Sequence, residues 1–254
     1  MIDRIHAFMR HAEEGVCDEV VPTPHGTALI TASLPLVWQV NAIRVEDRDA
    51  KARELMREAD QIQAAFGHRK LVFHDPDLGA RLSKEFAKSG WNVFRILIML
   101  RRRAPDRPPE EGAGAEVTKE VGAATLAAFR REQPFGWQDE AVRQLAEMDA
   151  RYDRVLGARD FASPPDDPAC ACRLYVHDGI AQVDEVGTVE ARRGHGYARA
   201  AVAAAADTAA DDGCEAVFMV TDAADWPQQL YRRLGFDEIG ATYEFLKVPI
   251  NSRP

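Results

Sequence analysis

The pattern that most constrains the fold of this chain occurs twice, once before the midpoint and once near the end. Residues 71–100 and 217–248 each read as a strand, an Asp-containing loop, a short helix, a glycine followed by an aromatic residue, and a second strand. Phe86 falls where Tyr231 falls, and Gly90-Trp91 falls where Gly235-Phe236 falls. Strand–helix–strand segments are common enough for such a match to arise by chance. We interpret the repeat as two related units of α/β structure.

The stretch between the repeats predicts a linker. Residues 101–115 read RRRAPDRPPEEGAGA, which is rich in Pro, Gly and charge and has no apolar periodicity. We therefore expect an N-terminal domain at 1–100 and a C-terminal domain at 116–254. Apolar periodicity predicts helices at about 2–12, 49–66, 79–89, 121–132, 139–152, 195–212 and 227–234. It predicts strands at about 27–34, 38–45, 70–74, 92–100, 155–162, 169–176, 180–189, 216–220 and 242–248.

The composition favours a globular protein and argues against two classes of partner. Hydrophobic residues make up 46% and charged residues 29% of the 254 residues, which is enough for an ordinary core. The net charge of -9 argues against nonspecific binding to nucleic acid, which needs a basic surface. No apolar run approaches the roughly 20 residues of a membrane helix, and a secretory signal pattern is absent. We expect a cytoplasmic protein with no membrane partner.

The cysteines do not predict a metal site. Cys170 and Cys172 would share one face of a strand, and Cys17 and Cys214 are scattered. No histidine cluster accompanies them, and their spacing is poor for zinc. We expect reduced structural thiols and no metal.

The segment from Asp184 to Arg199, which reads DEVGTVEARRGHGYAR, carries the clearest chemical signal. A strand ends there and a helix begins, so unsatisfied N–H groups and the positive end of a helix dipole meet at Gly194 and Gly196. Glycine also lets the backbone approach a phosphate closely. The segment lacks the Gly-Lys-Ser/Thr of a P-loop, and its glycine spacing does not fit the dinucleotide motif G-x-G-x-x-G. It predicts a pyrophosphate site across residues 193–199.

Two linked motifs in this half resemble the GNAT superfamily of N-acetyltransferases. Arg193, Gly196 and Ala198 match the family signature Arg/Gln-x-x-Gly-x-Gly/Ala, and residues 230–236 (LYRRLGF) resemble the family's LYxxLGF segment. The resemblance covers residues 116–248 and implies a GNAT-like fold, which is an α/β fold with a mixed sheet, and acetyl-coenzyme A as cosubstrate. The corresponding point after Val45 reads Glu-Asp-Arg-Asp and lacks the signature. We therefore expect two tandem units, of which only the second binds the coenzyme.

The resemblance also assigns roles to residues of this chain. It implies that backbone groups of the strand pair with the pantetheine arm at Val186, Gly187 and Thr188. It implies that the pyrophosphate is held at Arg193, Gly194, His195, Gly196, Tyr197, Ala198 and Arg199. Tyr231 matches the tyrosine that often protonates the departing thiolate. Many members have an asparagine seven residues before that tyrosine, where this chain has Ala224.

Acyl transfer needs a base for the attacking amine and is helped by an acid at the thiolate. Asp184 and Glu185 are the base candidates, and strand alternation sends them to opposite faces unless a bulge intervenes. Each is equally well interpreted as a solvated acidic residue. A tyrosine pKa near 10 and a thiol pKa near 8.5 differ by about 2 kcal/mol. We therefore expect Tyr231 to donate a hydrogen bond or to have a lowered pKa, the alternative being a helix residue packed on the core.

Aromatic residues of the C-terminal half are candidates for the acceptor pocket. Phe135 and Trp137 lie on a predicted loop, where binding residues are frequent. Trp226 is expected to pack in the core or at a helix entry. His195 is expected to neighbour the phosphate or solvent and not to act as the base.

These observations predict an enzyme that moves an acetyl group from acetyl-coenzyme A to a primary amine by direct attack in a ternary complex. The alternatives are a non-catalytic acyl-coenzyme A-binding or regulatory protein, and nucleotide binding by the glycine-rich turn. Amino sugars, antibiotics, polyamines, amino acids and protein amines all remain open as acceptors. The N-terminal half is expected to cap the acceptor site, to mediate a homodimer or only to complete the fold.

Overall fold

The computed structural model of the protein describes residues 1–110 and 112–248. Position 111 of the predicted linker 101–115 and positions 249–254 of the predicted C-terminal domain lie outside the described residues. The N-terminal half follows the order α1 (Ile2–Val16), β1 (Glu19–Thr23), β2 (Gly26–Ile30), β3 (Ala42–Val45), α2 (Ala52–Ile62), β4 (Arg69–Phe73), α3 (Pro76–Lys88) and β5 (Asn92–Arg101). Asp75 caps α3 by accepting hydrogen bonds from the N–H groups of Asp77 and Leu78, which is why this helix begins at Pro76.

The C-terminal half repeats this order after two additional elements. It runs β6 (Ala115–Val117), α4 (Lys119–Arg131), α5 (Asp139–Leu156), β7 (Ala158–Ser163), β8 (Cys170–His177), β9 (Ile180–Thr188), α6 (Tyr197–Asp211), β10 (Ala216–Asp222), α7 (Pro227–Arg233) and β11 (Phe236–Lys247). The elements from α1 to β5 correspond one by one to those from α5 to β11. The expectation of two related α/β units is therefore confirmed.

All the strands join one mixed sheet with the order β1-β2-β3-β4-β11-β5-β10-β9-β8-β7-β6. The last strand of each half lies beside the other half: β5 pairs with β10, and β11 pairs with β4. The two exchanged strands also pair with each other in antiparallel fashion, from Phe236 opposite Arg101 to Leu246 opposite Asn92. The two halves are thus joined through the centre of the sheet.

The exchange sets the directions of the two parallel strand pairs. β3 is parallel to β4, and β9 is parallel to β10. Three antiparallel pairings lie between these pairs, so they run in opposite directions. The carboxyl ends of β3 and β4 therefore lie at one end of the sheet, and those of β9 and β10 lie at the other.

Helices cover both faces of the C-terminal half. The alanine-rich α6 packs on one face with Ala201, Ala205 and Ala209 fully buried, because small side chains let the helix lie close to the strands. α1 and α5 cover the opposite face and contact each other, with Gly15 against Val155. No helix in the described part of the chain is long and apolar enough to cross a membrane.

Several predicted element bounds were wrong for identifiable reasons. Trp38–Val40 forms a turn of 3₁₀ helix instead of starting a strand, because the Asn41 side-chain amide donates to the carbonyls of Leu34 and Val37 and holds residues 34–41 in a compact loop. The strand predicted at 27–34 ends at Ile30 for the same reason. β1 and β6 were not predicted, and β6 begins within the predicted linker. β11 begins at Phe236 and not at about 242, because its first residues pair with β5.

Candidate functional site

An opening between β9 and β10 lies at their carboxyl ends. These parallel strands pair only from Ile180–Gln182 to Ala216–Phe218. Beyond that point β9 remains paired with β8, and β10 remains paired with β5. The side of β9 that faces β10 therefore has no strand partner along Val186, Gly187 and Thr188. Ligands of open α/β sheets bind in such a crevice at the carboxyl ends of strands.

A bulge in β9 lies at the start of this opening. Opposite β8, Ala171 pairs with Gly187 while Arg173 pairs with Asp184, so β9 has one extra residue. Glu185 adopts a φ of 53°, a left-handed conformation that costs a non-glycine residue about 1–3 kcal/mol. A strained residue of this kind is held in place by its surroundings and is typical of functional sites.

The bulge brings both candidate bases to one side of the sheet. Val183 packs in the core beneath α6, so alternation points Asp184 toward α4 and α5. Glu185 would point away, but the bulge turns it to the same side, where the Arg130 guanidinium of α4 donates to its carboxylate at 2.6 Å. Strand alternation predicted that the two carboxylates lie on opposite faces unless a bulge intervenes, and the structure contains such a bulge.

Asp184 and Glu185 differ in their electrostatic surroundings. The half-buried Asp184 carboxylate accepts hydrogen bonds from the Gln182 side chain at 3.0 Å and from the Glu185 N–H at 2.9 Å. Burial, followed by the neighbouring charge of Glu185, raises the pKa of Asp184 to about 7. Glu185 instead forms a salt bridge with Arg130. Asp184 therefore has the properties of a base near neutral pH, whereas Glu185 is engaged by Arg130.

The glycine-rich turn follows β9 directly. A short 3₁₀ helix over Glu190–Arg192 leads into it, and α6 begins at Tyr197. Gly194 and Gly196 have φ values of 82° and 84°, and a Cβ at either position would meet no atom within 4 Å, so open space lies beside this backbone. The first bond of α6 runs from the Ala200 N–H to the Gly196 carbonyl at 3.1 Å. The amides of residues 194–199 therefore remain available to an anion, whereas the Arg193 amide, which the predicted site included, donates to the Glu190 carbonyl at 3.1 Å.

Side chains around the turn hold it in shape. His195 Nδ1 lies 2.9 Å from the Arg193 carbonyl, and the His195 ring stacks on Tyr197. The Arg192 guanidinium lies over the Tyr197 ring, 5.4 Å from its centre, and pairs with Asp167. Arg193 donates to the Thr188 carbonyl at 3.3 Å, which links the turn to the end of β9. The exposed His195 thus belongs to the turn and is not placed beside the carboxylates as a base.

Tyr231 lies in α7, where it is 7% exposed. Val186 of β9 packs against the same core, which places the tyrosine on the α6 side of the opening. Burial, and after it the charge of Asp184, raises the pKa of Tyr231 above its ordinary value. The alternative of a lowered pKa is therefore wrong, and a neutral hydroxyl that can donate a hydrogen bond remains.

Comparison with known proteins supports what this geometry suggests. Residues 123–236, which span the opening, the bulge, the turn and Tyr231, match the family model of the acetyltransferase (GNAT) family. The C-terminal half contains a GNAT domain. No curated protein matches the sequence.

Solved structures extend the likeness to the whole chain. A functionally unknown conserved protein from Staphylococcus epidermidis aligns with a TM-score of 0.65 and 14% identity over 92% of this chain and 95% of its own. A GCN5-related N-acetyltransferase from Kribbella flavida aligns with a TM-score of 0.59 and 17% identity over 96% of both chains. A tandem GNAT protein from the clavulanic acid biosynthesis pathway aligns with a TM-score of 0.50 and 14% identity over 90% of this chain and 81% of its own. At these identities the likeness shows the fold, which is that of a tandem GNAT protein.

A buried ionic network underlies the bulge of the GNAT domain, and sequence analysis missed it. Arg130 makes two hydrogen bonds to Asp149 of α5, at 2.6 and 2.9 Å, in addition to its bond to Glu185. Arg173 of β8 bonds Asp160 at 3.1 Å and lies 3.5 Å from Asp149. Arg130, Asp149, Asp160 and Arg173 are each about 95% buried or more. The signal available in the sequence for this network was Arg130, a charged residue on the apolar stripe of a predicted helix.

The loop between α4 and α5 borders the same end of β9. The Glu132 carboxylate, just after α4, accepts a hydrogen bond of 2.7 Å from the N–H of Glu190 at the start of the glycine-rich turn. Phe135 and Trp137 on this loop are 37% and 64% exposed, so their rings are accessible at this end of β9. Trp226, expected to be packed, is 62% exposed, because its backbone initiates α7 while its ring stays outside the core.

The loop after β10 is closed by its own side chains. Asp222 accepts a hydrogen bond of 2.8 Å from the N–H of Ala224, and the N–H of Ala223 donates to the Arg95 carbonyl of β5. The exchanged strand from the N-terminal half therefore supports a loop of the GNAT domain. Among the described residues, no group of three or more His, Cys, Asp or Glu is arranged to hold a metal ion.

Proposed function

We propose that this protein is an N-acetyltransferase that moves an acetyl group from acetyl-coenzyme A to the primary amine of a small molecule or peptide. The observation that carries the proposal is that β9 combines an unpaired side, a bulge with two carboxylates and a glycine-rich turn with free amides. Membership of this half in the GNAT family supports acyl transfer in general. The acetyl group, the amine acceptor and a cytoplasmic location are part of the proposal.

Donor binding is assigned to the backbone of β9 and the turn that follows. The amides of residues 194–199 would hold the pyrophosphate at the start of α6, where the helix dipole also favours an anion. The pantetheine arm would pair with Val186, Gly187 and Thr188, which replaces the strand partner that this side of β9 lacks. Backbone N–H groups there would also polarise the thioester carbonyl.

The transfer step is assigned to Asp184 and Tyr231. The neutral amine attacks the thioester carbon while Asp184 accepts its proton, for which a pKa of about 7 is suitable at neutral pH. The C–S bond then breaks with its electron pair on sulfur, and the Tyr231 hydroxyl donates a hydrogen bond to the thiolate. Glu185 remains paired with Arg130 and holds the bulge. The acceptor would approach from the side of α4 and α5, past Phe135 and Trp137.

The first test is a panel of primary amines scored by acetyl-coenzyme A-dependent thiol release. We expect at least one amine to give turnover, and calorimetry to show binding of coenzyme A but not of a dinucleotide. Binding of the coenzyme without turnover of any amine would favour the non-catalytic alternative. Preferential binding of a dinucleotide would contradict the proposal altogether.

The second test compares two identical chemical changes. Tyr231→Phe removes the hydroxyl beside the opening, whereas Tyr243→Phe removes one from β11, where the ring packs against α3 of the N-terminal half. We expect Tyr231→Phe to lower kcat by about tenfold or more, since general acid assistance typically contributes about 10²–10⁴-fold. The KM for acetyl-coenzyme A and the activity of Tyr243→Phe should remain unchanged. Equal activities of both variants would remove Tyr231 from the mechanism.

A further inference from the structure

The charged side chains around the bulge of β9 do not balance. They form one cluster of two arginines and four carboxylates: Arg130, Arg173, Asp149, Asp160, Asp184 and Glu185. Each arginine contacts two of the carboxylates, so neither is free to compensate a further one. The carboxylates therefore exceed the arginines by two. Since most of the cluster is buried, solvent screens this excess only weakly.

The helices that flank the cluster do not supply the missing positive charge. Arg131 at the end of α4 pairs with Asp139, and Arg143 of α5 pairs with Glu140. The remaining cations of α4 and α5, two helices that lie wholly within the described residues, are paired with carboxylates in the same way. Glu132, between the helices, adds one more carboxylate. The side from which the acceptor would approach is therefore acidic.

Neighbouring tyrosines respond to this negative charge. Burial, and after it the charges of Glu13 and Asp184, raises the pKa of Tyr152 of α5. Burial, and after it the charge of Glu185, raises the pKa of Tyr175 of β8, although Arg173 acts in the opposite direction. The surroundings of the bulge thus disfavour a further negative charge and favour a positive one.

An aromatic ring borders the opening on the same side. The half-buried Phe129 of α4 lies on the backbone of Gly187, where an added Cβ would come within 2.5 Å of the Phe129 Cδ1. The absence of a side chain at Gly187 therefore lets the ring reach β9 itself. This surface suits the methylene groups of an alkyl chain beside the acidic cluster.

The loop between α4 and α5 brings a second aromatic group close to the cluster. Gly136 folds against the end of α4, where an added Cβ would lie 2.5 Å from the Arg130 carbonyl oxygen. Trp137, the next residue, is 64% exposed. The face of a tryptophan ring attracts cations more strongly than that of any other side chain. The loop thus places a cation-binding side chain next to the arginine that bonds Glu185.

We propose that the acceptor carries a second positive charge beyond the amine that reacts, as a linear alkyl diamine or polyamine does. Its methylene groups would contact Phe129, and its distal ammonium would be held by the Trp137 ring and by the excess of carboxylates. An acceptor with a distal carboxylate is disfavoured by the same charges. The inference rests on the proposed function, because the reacting amine is taken to be the one at Asp184.

The test is calorimetric titration of the full-length protein, saturated with coenzyme A, with three linear primary amines of similar length. Pentane-1,5-diamine, pentylamine and 5-aminopentanoate differ in a distal group that is positive, neutral or negative. We expect the affinity to fall in this order by about tenfold at each step in low salt. The advantage of the diamine over pentylamine should shrink at least about threefold between roughly 50 and 500 mM salt.

Two matched variants test the place of the distal charge. Trp137→Leu removes the ring beside the cluster, and Trp38→Leu makes the same change where the ring packs near His68 of the N-terminal half. We expect Trp137→Leu to bind the diamine about fivefold more weakly, and Trp38→Leu to bind it as the wild type does. Circular dichroism and the affinity for coenzyme A control for folding in both variants.

Three results would overturn the inference. They are binding of pentylamine or 5-aminopentanoate as tight as that of the diamine, no saturable binding of the diamine at up to about 10 mM, and equal affinity of both variants for the diamine. Thiol release from acetyl-coenzyme A is measured separately. Preferential binding of the diamine without turnover would refute acyl transfer but not the cationic ligand. Turnover of pentylamine without preference for the diamine would refute the cationic ligand but not acyl transfer.

Discussion

Replacement of Asp184 by asparagine should raise the stability of the protein while it removes the proposed base. The carboxyl group lies beside a second carboxylate and is half-buried, and its pKa rises from 3.8 to about 7 on folding. A group with a raised folded-state pKa binds a proton more tightly in the folded than in the unfolded protein. Ionisation of Asp184 therefore costs the folded protein stability, and asparagine avoids this cost.

The magnitude and its pH dependence follow from the same shift. A rise from 3.8 to about 7 corresponds to at most about 4 kcal/mol. Since the side chain is only partly buried and Arg130 lies nearby, we expect about 1–2 kcal/mol. The wild type should lose this stability as the pH rises from about 4 to about 7, whereas Asp184→Asn should not. The difference in unfolding free energy should be small near pH 4 and largest above pH 7.

The assay combines urea unfolding at about pH 4.5 and about pH 8.5 with steady-state kinetics. Asp166→Asn, on an exposed loop, is the matched control and should change neither quantity. Loss of a general base should lower kcat by about 10²–10⁴-fold in Asp184→Asn. A stability difference that is equal at both pH values would falsify the raised pKa. Retained activity would instead show that another group accepts the proton.

Three further outcomes are expected. Gly196→Ala and Gly90→Ala should each lower the unfolding free energy by about 1–2 kcal/mol, because both glycines have positive φ. Only Gly196→Ala should raise the Kd of coenzyme A in calorimetry. Weaker coenzyme binding by both variants would mean that the effect is global. Arg130→Met should destabilise the protein by about 3–5 kcal/mol in urea unfolding by leaving buried carboxylates unpaired, and a change below about 1 kcal/mol would mean that the network is solvated. Residues 116–254 expressed alone should show no cooperative unfolding, because β5 would be missing from beside β10; a cooperative transition would show that the exchange is dispensable.

Some local features of the site were predictable, because residues such as glycine favour particular backbone conformations in any protein. Gly194 and Gly196 adopt the positive φ that suits glycine, and α6 begins just after them, as the strand-to-helix pattern indicated. The bulge was not predictable, because the residue in the left-handed conformation is Glu185 and nothing in its identity signals that conformation. Its position depends on Arg130 and Asp149, which lie far from it in sequence.

The strand exchange could not have been predicted for a different physical reason. Each half contains a final strand with enough apolar residues to line a core, so pairing within a half and pairing across halves are both compatible with the sequence. What distinguishes them is packing: Leu97 and Met99 of β5 lie in the core that also contains Tyr231. Side-chain volumes across that core decide the pairing, and a linear pattern does not record them.

The exchange also explains why a half without the coenzyme signature is attached to the GNAT domain. Beyond the point where β9 and β10 separate, β10 has no partner on its β9 side, so β5 on its other side must hold it in place. β5 supplies the core beneath Tyr231 and, through the Arg95 carbonyl, fixes the loop that leads to α7. The opening can therefore stay unpaired without collapse of β10, because the N-terminal half completes the sheet on the far side. Completion of the fold, one of the roles expected for the N-terminal half, is therefore also the way in which that half supports the site.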